Sequence, residues 1–260
     1  MDVLLIDAMN LIRRIYAAQQ QRSSDPVEET LLHSQNAILK NIENFDASHI
    51  ACVFDGKGPT WRHELYSDYK ADRKPMPSEL GSALDRFMEQ FEALGIRCMV
   101  FDEYEADDVI ATLAVKTAER GGHVRIVSTD KGFMQLSCSR IQLYHHFDKR
   151  VLSQDDVRQQ LGLQPSQLVD FLSLVGDSTN HVPGMPGIGP KTAGQLLDEY
   201  GDLDSVLVAS ESIPGKVGET LRNEYRTALF ARKLVRLKTD CQLHLNLSSL
   251  RYQALAPRNA

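Results

Sequence analysis

The stretch that decides the fold is Val3-Leu4-Leu5-Ile6-Asp7, a run of branched apolar residues followed directly by an aspartate. The same order returns where residues 50–54 precede Asp55 and where residues 124–129 precede Asp130. Runs of this length and composition predict buried β-strands. Helical patterns alternate with them as far as about residue 130, which predicts an α/β fold with a central, mainly parallel sheet.

Aspartates stand at the ends of all three runs. In an open parallel sheet, the residues just past the carboxyl ends of the strands line the ligand crevice, so Asp7, Asp55 and Asp130 are expected to meet there. Carboxylates that crowd together repel each other, and their oxygen atoms favour a hard cation such as Mg²⁺ or Mn²⁺. The sequence therefore predicts a metal-dependent enzyme.

A second acidic stretch, Glu105-Ala106-Asp107-Asp108, opens a predicted helix that runs to about Glu119. On a helix Glu105 and Asp108 share a face, whereas Asp107 is turned by about 100° from Asp108. Acids in a first turn can simply complement the helix dipole, and for this stretch alone that interpretation and metal binding are equally good. The three further aspartates expected at one sheet edge favour metal binding.

Such a cluster suits phosphodiester hydrolysis with two metal ions about 3.5–4 Å apart. One ion activates water and the second stabilises the departing oxygen, so no side-chain nucleophile is required. The sequence contains no recognisable one. His145-His146 follows the apolar pair Leu143-Tyr144 and is interpreted as a strand end rather than as a pair of metal ligands.

Residues 56–78, the arch segment, interleave basic and aromatic residues and have no apolar period. The members are Lys57, Arg62, Lys70, Arg73 and Lys74 with Trp61, Tyr66 and Tyr69. Charge pattern alone does not distinguish a solvated loop from a functional one. The position directly after Asp55 favours a mobile basic segment over the active site that binds phosphates.

The second part of the chain is predicted to be helical and contains the turn Gly187-Ile188-Gly189-Pro190-Lys191-Thr192. Pro190 suits an early helical position, and the exposed N–H groups with Lys191 then form a phosphate cradle that carries no sequence information. A lone Gly-x-Gly is usually a mere turn, but the flanking prolines and an upstream helix ending near Val175 favour a helix–hairpin–helix over residues 168–200. We expect an α/β metal-binding nuclease core at 1–160 and a helical DNA-binding region at 161–260.

Composition narrows the remaining classes. The 260 residues allow one large domain, or a large and a small one, and contain no segment apolar enough to cross a bilayer. The N-terminus lacks a basic stretch typical of a signal peptide, and the four scattered cysteines suit reduced thiols in a cytoplasmic protein. The net charge of -6 does not exclude nucleic acid, because a metal-binding cluster inflates the acidic count and local patches decide binding.

Six ordered motifs together resemble the 5′-nuclease (flap endonuclease) family, which includes the nuclease domain of bacterial DNA polymerase I. They lie at residues 4–7, 53–58, 69–77, 105–108, 128–131 and 182–193, so the resemblance covers nearly the whole chain. Leu237-Lys238-Thr239-Asp240 is also similar to the terminal signature of the family.

The resemblance implies a PIN-like 5′-nuclease core with a helix-3-turn-helix motif, and a substrate of DNA with 5′ flaps or single-strand/duplex junctions. It implies a first metal site at Asp7, Asp55, Glu105, Asp107, Asp108 and Asp130. Lys70 and Arg73 match arch residues that contact the scissile phosphate. The resemblance also implies K⁺ at the backbone carbonyls of Leu174, Val175, Pro183, Met185 and Ile188, and DNA phosphates at Gly187, Ile188, Gly189, Pro190, Lys191 and Thr192.

Two departures from the family pattern bear on the second metal. The family usually has another aspartate two residues after the position of Asp130, where this chain has Gly132, and Asn180 replaces a later acid. We therefore expect one tight Mg²⁺ site, replaceable by Mn²⁺, and at most a loose second ion between Asp108, Asp130 and Asp177. The glycine suits the freestanding exonuclease IX branch, and the absence of a following polymerase domain agrees with it.

The expected protein is a monomeric, Mg²⁺-dependent DNA flap endonuclease that acts in replication and repair. The missing second-site acids leave one alternative from another class, a DNA-structure-binding protein with little or no nuclease activity. A PIN-type ribonuclease acting on RNA is the third interpretation, and the helix–hairpin–helix and the terminal signature count against it.

Overall fold

A computed structural model describes residues 1–152 and 154–253, with the side chains of residues 157, 160 and 161 left aside. Residues 254–260 of the predicted helical region therefore lie outside the described residues. Among the residues that the structure describes, no helix is both long and apolar enough to cross a membrane.

The described residues form a six-stranded sheet in the order β3-β2-β1-β4-β5-β6. The strands are β1 Asp2–Asp7, β2 His49–Asp55, β3 Arg97–Phe101, β4 His123–Val127, β5 Ile141–His145 and β6 Arg150–Leu152. Strands β1 to β5 pair in parallel and β6 is antiparallel to β5, which confirms the mainly parallel sheet. Because β1 lies between β2 and β4, the carboxyl ends of these three parallel strands meet at one edge of the sheet. His145 is the last residue of β5, in agreement with the predicted strand end.

Helices cover both faces of this sheet and continue beyond it. They are α1 Ala8–Gln19, α2 Pro26–Phe45, α3 Trp61–Leu65, α4 Ser78–Glu92, α5 Ala106–Glu119, α6 Gln154–Leu161, α7 Leu168–Val175, α8 Pro190–Tyr200, α9 Leu203–Ala209 and α10 Gly215–Val235. Successive β1 residues point to opposite faces. Leu5 accordingly packs in the cluster that contains α5, and Leu4 and Ile6 pack in the cluster that contains α1, α2 and α4.

Helices α7 to α10 share a separate apolar core around Leu174, Leu197 and Leu221, all completely buried. The hairpin between α7 and α8 is held by two backbone hydrogen bonds between Asp177 and Val182. A Cβ atom on Gly184 would lie only 2.3 Å from the carbonyl oxygen of Val175, so this close approach requires glycine. The predicted helical region with its helix–hairpin–helix is confirmed as part of the fold.

Candidate active site

Asp7 and Asp55 occupy the carboxyl ends of neighbouring strands. Asp7 caps α1, with Oδ1 accepting from the amide of Asn10 at 3.0 Å and Oδ2 accepting from the hydroxyl of Ser128 at 2.9 Å. Asp55 accepts from the amide of Ala106 at 3.0 Å, which joins the end of β2 to the start of α5. Hydrogen bonds to backbone and hydroxyl donors therefore hold both carboxylates at this edge, as the strand pattern predicted.

Asp130 follows β4 and begins a 3₁₀ helix, Lys131–Leu136. Its amide donates to Ser128 Oγ at 3.0 Å, and its Oδ1 accepts from the amide of Gly132 at 2.6 Å. Ser128 therefore bridges Asp7 and Asp130 through one hydroxyl. Asn10 adds a second tie between α1 and this turn, because its side chain hydrogen-bonds Thr129.

The charges of four aspartates, Asp7, Asp55, Asp107 and Asp130, act on one another; we call these residues the aspartate cluster. Burial raises the pKa of Asp107 well above its ordinary value, and the charges of Asp130 and Asp7 raise it further. Burial also raises the pKa of Asp7 to about 7. The hydrogen bond from Asn10 lowers this pKa, and the charge of Asp55 raises it. The chain thus brings four carboxylates together, and the charge of Lys70 only partly offsets the rise in the pKa of Asp107.

The donor set and its repulsion fit a divalent cation, because carboxylate oxygens are the preferred ligands of Mg²⁺ and a 2+ ion relieves like-charge repulsion. Among the described residues, no three Asp, Glu, His or Cys side chains already converge closely enough to hold a metal ion as they stand. The cluster is therefore suitable in chemistry and charge, and its role as a ligand set stays a prediction.

Glu105 and Asp108 lie together on the other side of the first turn of α5, where both contact Arg62. Arg62 donates from Nη1 and Nη2 to the two oxygens of Asp108 at 2.6 and 2.8 Å, and from Nη1 to Glu105 at 2.8 Å. Asp108 also accepts from Trp61 Nε1 and from the amide of Lys238, both at 2.8 Å. Four donors occupy this fully buried carboxylate, so its contacts do not support the prediction of Asp108 as a metal ligand.

Arg62 itself is the clearest difference from the mobile basic segment that we expected. It is only 1% exposed, and it also donates to the backbone oxygens of Leu234 and Arg236 at 2.8 and 3.0 Å. Burial opposes its charged form, but the hydrogen bond to Asp108 and the charges of Asp108 and Glu105 outweigh burial and raise the pKa of Arg62. Arg62 is a buried tie between the arch segment, α5 and the end of α10, and it does not face solvent.

Lys70 and Arg73, the predicted phosphate-contacting residues, lie beside a cleft of about 510 Å³ that Glu105, Asp107 and Asp130 also line. Lys70 has a left-handed backbone with φ of 58°, fixed by a hydrogen bond from its amide to the carbonyl of Asn180 at 3.0 Å. Its Nζ contacts Glu105, and the charge of Lys70, with that of Arg62, outweighs burial and lowers the pKa of Glu105. Arg73 is exposed and lines the cleft.

The turn after α7 carries Asp177 and Asn180, which line the same cleft. Asp177 accepts from the amide of Thr179 at 2.9 Å and from Asn180 Nδ2 at 2.7 Å. Asn180 thus supplies a donor to Asp177 at the position where the family has an acid. The structure brings Asp177 to the cleft with its charge already hydrogen-bonded within its own turn.

The residues whose backbone carbonyls are predicted to hold K⁺ belong to the end of α7 and the hairpin that follows it. Leu174 accepts from the amide of Met185 at 2.8 Å, and Met185 accepts from Ile188 at 3.1 Å. The Val175 carbonyl faces Gly184, next to Pro183. Each carbonyl has two lone pairs, so these bonds leave acceptor capacity for a cation. Pro190 is the first residue of α8, where exposed Gly187, Gly189 and Lys191 surround the N-terminus of the helix.

Sequence reasoning missed Asn10, Ser128 and the role of Arg62. Asn10 and Ser128 carry no charge and sit within ordinary helix and strand-end patterns, so nothing distinguished them. Arg62 stood among five basic residues of one segment, and only the position of its neighbour Trp61 on a short helix could have indicated a buried side. The sequence did indicate that Glu105 and Asp108 share a helix face apart from Asp107.

This fold and site define an α/β nuclease with a carboxylate cluster and a helical hairpin. Residues 2–162 match the family model described as 5′-3′ exonuclease, N-terminal resolvase-like domain, and residues 163–258 match 5′-3′ exonuclease, C-terminal SAM fold. The chain therefore belongs to the 5′-3′ exonuclease family.

Relatives from two bacteria cover almost the whole chain. It is 43% identical over 254 residues to flap endonuclease Xni of Aeromonas hydrophila subsp. hydrophila, covering 96% of this chain and 95% of that protein. It is 40% identical over 251 residues to flap endonuclease Xni of Cronobacter sakazakii, covering 96% and 97%. These relatives confirm the branch of the family that Gly132 suggested.

A solved structure of a bacteriophage T5 flap endonuclease variant, in a pseudo-enzyme-product complex with DNA and metal ions, has the same fold. Its TM-score is 0.76 at 20% sequence identity, and the match covers 92% of this chain and 90% of that one. At this identity the likeness concerns the fold alone.

Proposed function

We propose that the protein is a Mg²⁺-dependent endonuclease that hydrolyses DNA phosphodiester bonds at 5′ flaps and single-strand/duplex junctions. The observation that carries the proposal is the aspartate cluster: four aspartates from separate segments act on one another electrostatically, and Asp107 and Asp130 line the cleft together with Arg73. A bound divalent cation supplies Lewis-acid activation of water and stabilises charge on the phosphate. Mn²⁺ has the same ligand preference and substitutes for Mg²⁺.

Side chains of the arch segment position the substrate in this mechanism. Lys70 and Arg73 bind the scissile phosphate, which attracts them because it is negatively charged. Lys70 leaves Glu105 for the phosphate, while Tyr69 and Arg62 keep Glu105 hydrogen-bonded at 3.1 and 2.8 Å. The left-handed backbone of Lys70 limits where its side chain can reach, so the arch presents its charge at one place.

The helical region binds the duplex part of the substrate. Residues Gly187 to Thr192 contact phosphates through exposed N–H groups at the start of α8, assisted by the charge of Lys191. The hairpin carbonyls of Leu174, Val175, Pro183, Met185 and Ile188 would hold K⁺, which would supply positive charge for duplex binding. In this proposal residues 1–160 carry out the hydrolysis and residues 161–260 bind the duplex. The protein acts as a monomer in the cytoplasm.

A DNA-structure-binding protein with little nuclease activity is the second candidate. Gly132 has no carboxylate, Asn180 satisfies Asp177, and Glu105 and Asp108 are neutralised by the chain itself. Among the described acids predicted as metal ligands, the aspartate cluster then remains to hold a cation. The two candidates differ in whether this cluster suffices for hydrolysis.

The deciding experiment incubates a 5′-flap duplex with the protein in Mg²⁺ and in EDTA. Cleaved DNA that forms only with Mg²⁺, and does not form with a matched Asp107→Asn preparation, supports the nuclease. Binding without product at any Mg²⁺ concentration supports the second candidate and overturns the first. The same flap made of RNA distinguishes a ribonuclease, which would cut RNA faster than DNA.

A further inference from the structure

A second concave surface shares Leu237 with the cleft and is lined by other arch residues; we call it the outer groove. It has a volume of about 680 Å³ and is lined by Trp61 and Leu65 of α3, the end of α10 and residues 236–240. Its cations are Arg232, Lys233, Arg236 and Lys238. The acid that lines it is Asp240. In a chain of net charge -6, this surface is locally positive.

Two of these cations, Lys233 and Arg236, are available to a ligand, whereas the ammonium of Lys238 lies over the rings of Trp61 and Tyr104. Arg232 pairs with Asp204 at 2.9 Å. Over residues 1–152 and 154–253, no carboxylate lies within ion-pair distance of Lys233, Arg236 or Lys238. Lys233 and Arg236 are exposed, and an exposed cluster of unneutralised cations attracts a polyanion.

The outer groove is built on rigid supports and adjoins the cleft. Leu237 lines both surfaces, so they are separated by about one side chain. Trp61 forms part of the wall, and its Nε1 is fixed on Asp108 at 2.8 Å. The hydrogen bonds from Arg62 to the carbonyls of Leu234 and Arg236 tie this wall to the end of α10. A preformed groove loses little conformational freedom when a ligand binds.

We propose that the outer groove binds the single-stranded tail of the DNA substrate, an inference that rests on the proposed flap activity. A flap has a duplex part and an unpaired part, and the N-terminus of α8 accounts only for the duplex. The outer groove is the basic surface next to the cleft across Leu237. Sites for single strands combine a positively charged groove with aromatic side chains. Here the exposed Lys233 and Arg236 provide the charge, and Trp61 is the aromatic residue of the lining, with one face of its ring covered by the guanidinium of Arg62 at 4.3 Å.

The test measures binding without cleavage, by fluorescence anisotropy in EDTA, for a nicked duplex with no tail and for the same duplex with a tail of about ten nucleotides. The Lys233→Glu/Arg236→Glu variant is compared with Lys191→Glu, the matched charge reversal on the duplex side. The tail should tighten binding by the wild type, and the double variant should lose this gain, roughly tenfold, with unchanged affinity for the tail-less duplex. Its salt slope on tailed DNA should fall by about 1.4, for two contacts at about 0.7 each.

Three results overturn the proposal: unchanged tail binding by the double variant, an equal loss on both DNAs, or tighter binding of poly-glutamate than of oligo-deoxythymidine by the wild type. Lys191→Glu should instead weaken both DNAs alike. The neutral Lys233→Gln/Arg236→Gln variant and the thermal midpoint of each protein exclude misfolding as the cause of a loss. Because no cleavage is needed, a wild type that prefers tails but never cuts would refute the nuclease while retaining the groove.

Discussion

Replacing Arg62 by methionine removes a buried cation and keeps a side chain of similar length. Arg62 makes five hydrogen bonds, three to the carboxylates of Glu105 and Asp108 and two to backbone oxygens. After the change Glu105 still has Lys70 and Tyr69. Asp108 is completely buried, and Arg62 is its ion-pair partner within residues 1–152 and 154–253, so the change leaves it without one. The substitution therefore leaves one uncompensated charge in the interior.

The expected cost follows from this uncompensated carboxylate. Breaking a buried ion pair by removing one partner costs about 3–5 kcal/mol of the free energy of unfolding. For a chain of this size each kcal/mol shifts the melting temperature by about 2–4 °C, so the midpoint should fall by roughly 6–20 °C. Urea denaturation followed by circular dichroism measures the free energy directly.

Arg86→Met is the matched control, because the ion pair of Arg86 with Glu28 is about half exposed and should contribute about 0–1 kcal/mol. Arg62→Met/Asp108→Asn should recover much of the loss, since the amide carries no charge and keeps an oxygen for Trp61 or Lys238. An Arg62→Met variant no less stable than Arg86→Met would refute the assignment of a charged, buried Arg62–Asp108 pair.

The other predictions concern DNA and ions. Asp107→Asn should abolish cleavage in the flap assay while leaving DNA affinity similar or higher, because it removes repulsion from phosphate; undiminished cutting contradicts this. Lys191→Glu should weaken binding to every duplex sequence alike and lower the salt slope by about one phosphate contact, and a sequence-dependent loss contradicts it. K⁺ should raise affinity more than Li⁺ if hairpin carbonyls hold the ion; equal binding in both salts counts against them. Calorimetric titration with Mg²⁺ should find one tight site, and two equally tight sites contradict the weakened second one.

The sheet could be predicted because its strands have local signals in the sequence. Runs of buried branched residues ending in Asp7 and Asp55 are local signals, and β1 and β2 end at those residues. The common edge followed from the geometry of parallel strands. The separation of Glu105 and Asp108 from Asp107 followed from the helical period, which fixes directions before any packing is known.

The partners of these acids could not be predicted, because they come from distant parts of the chain. Arg62 meets Asp108 across 46 residues and the carbonyl of Leu234 across 172. A backbone oxygen has no sequence signature at all. A basic residue in a polar segment is also expected to face solvent, because an arginine is rarely buried unless it is paired. The partner that pairs with it is set by the tertiary structure.

The contacts show how this chain compensates the acids that lie near the aspartate cluster. Carboxylates at a sheet edge need positive charge or donors, and here Arg62 and Lys70 neutralise two of them while Asn180 and Thr179 donate to Asp177. Gly132 donates its amide to Asp130, and a Cβ there would lie 3.0 Å from that carboxylate, so an added acid would crowd it. The aspartate cluster accepts hydrogen bonds but forms no ion pair within the described part of the chain, and we expect it to bind a single divalent cation.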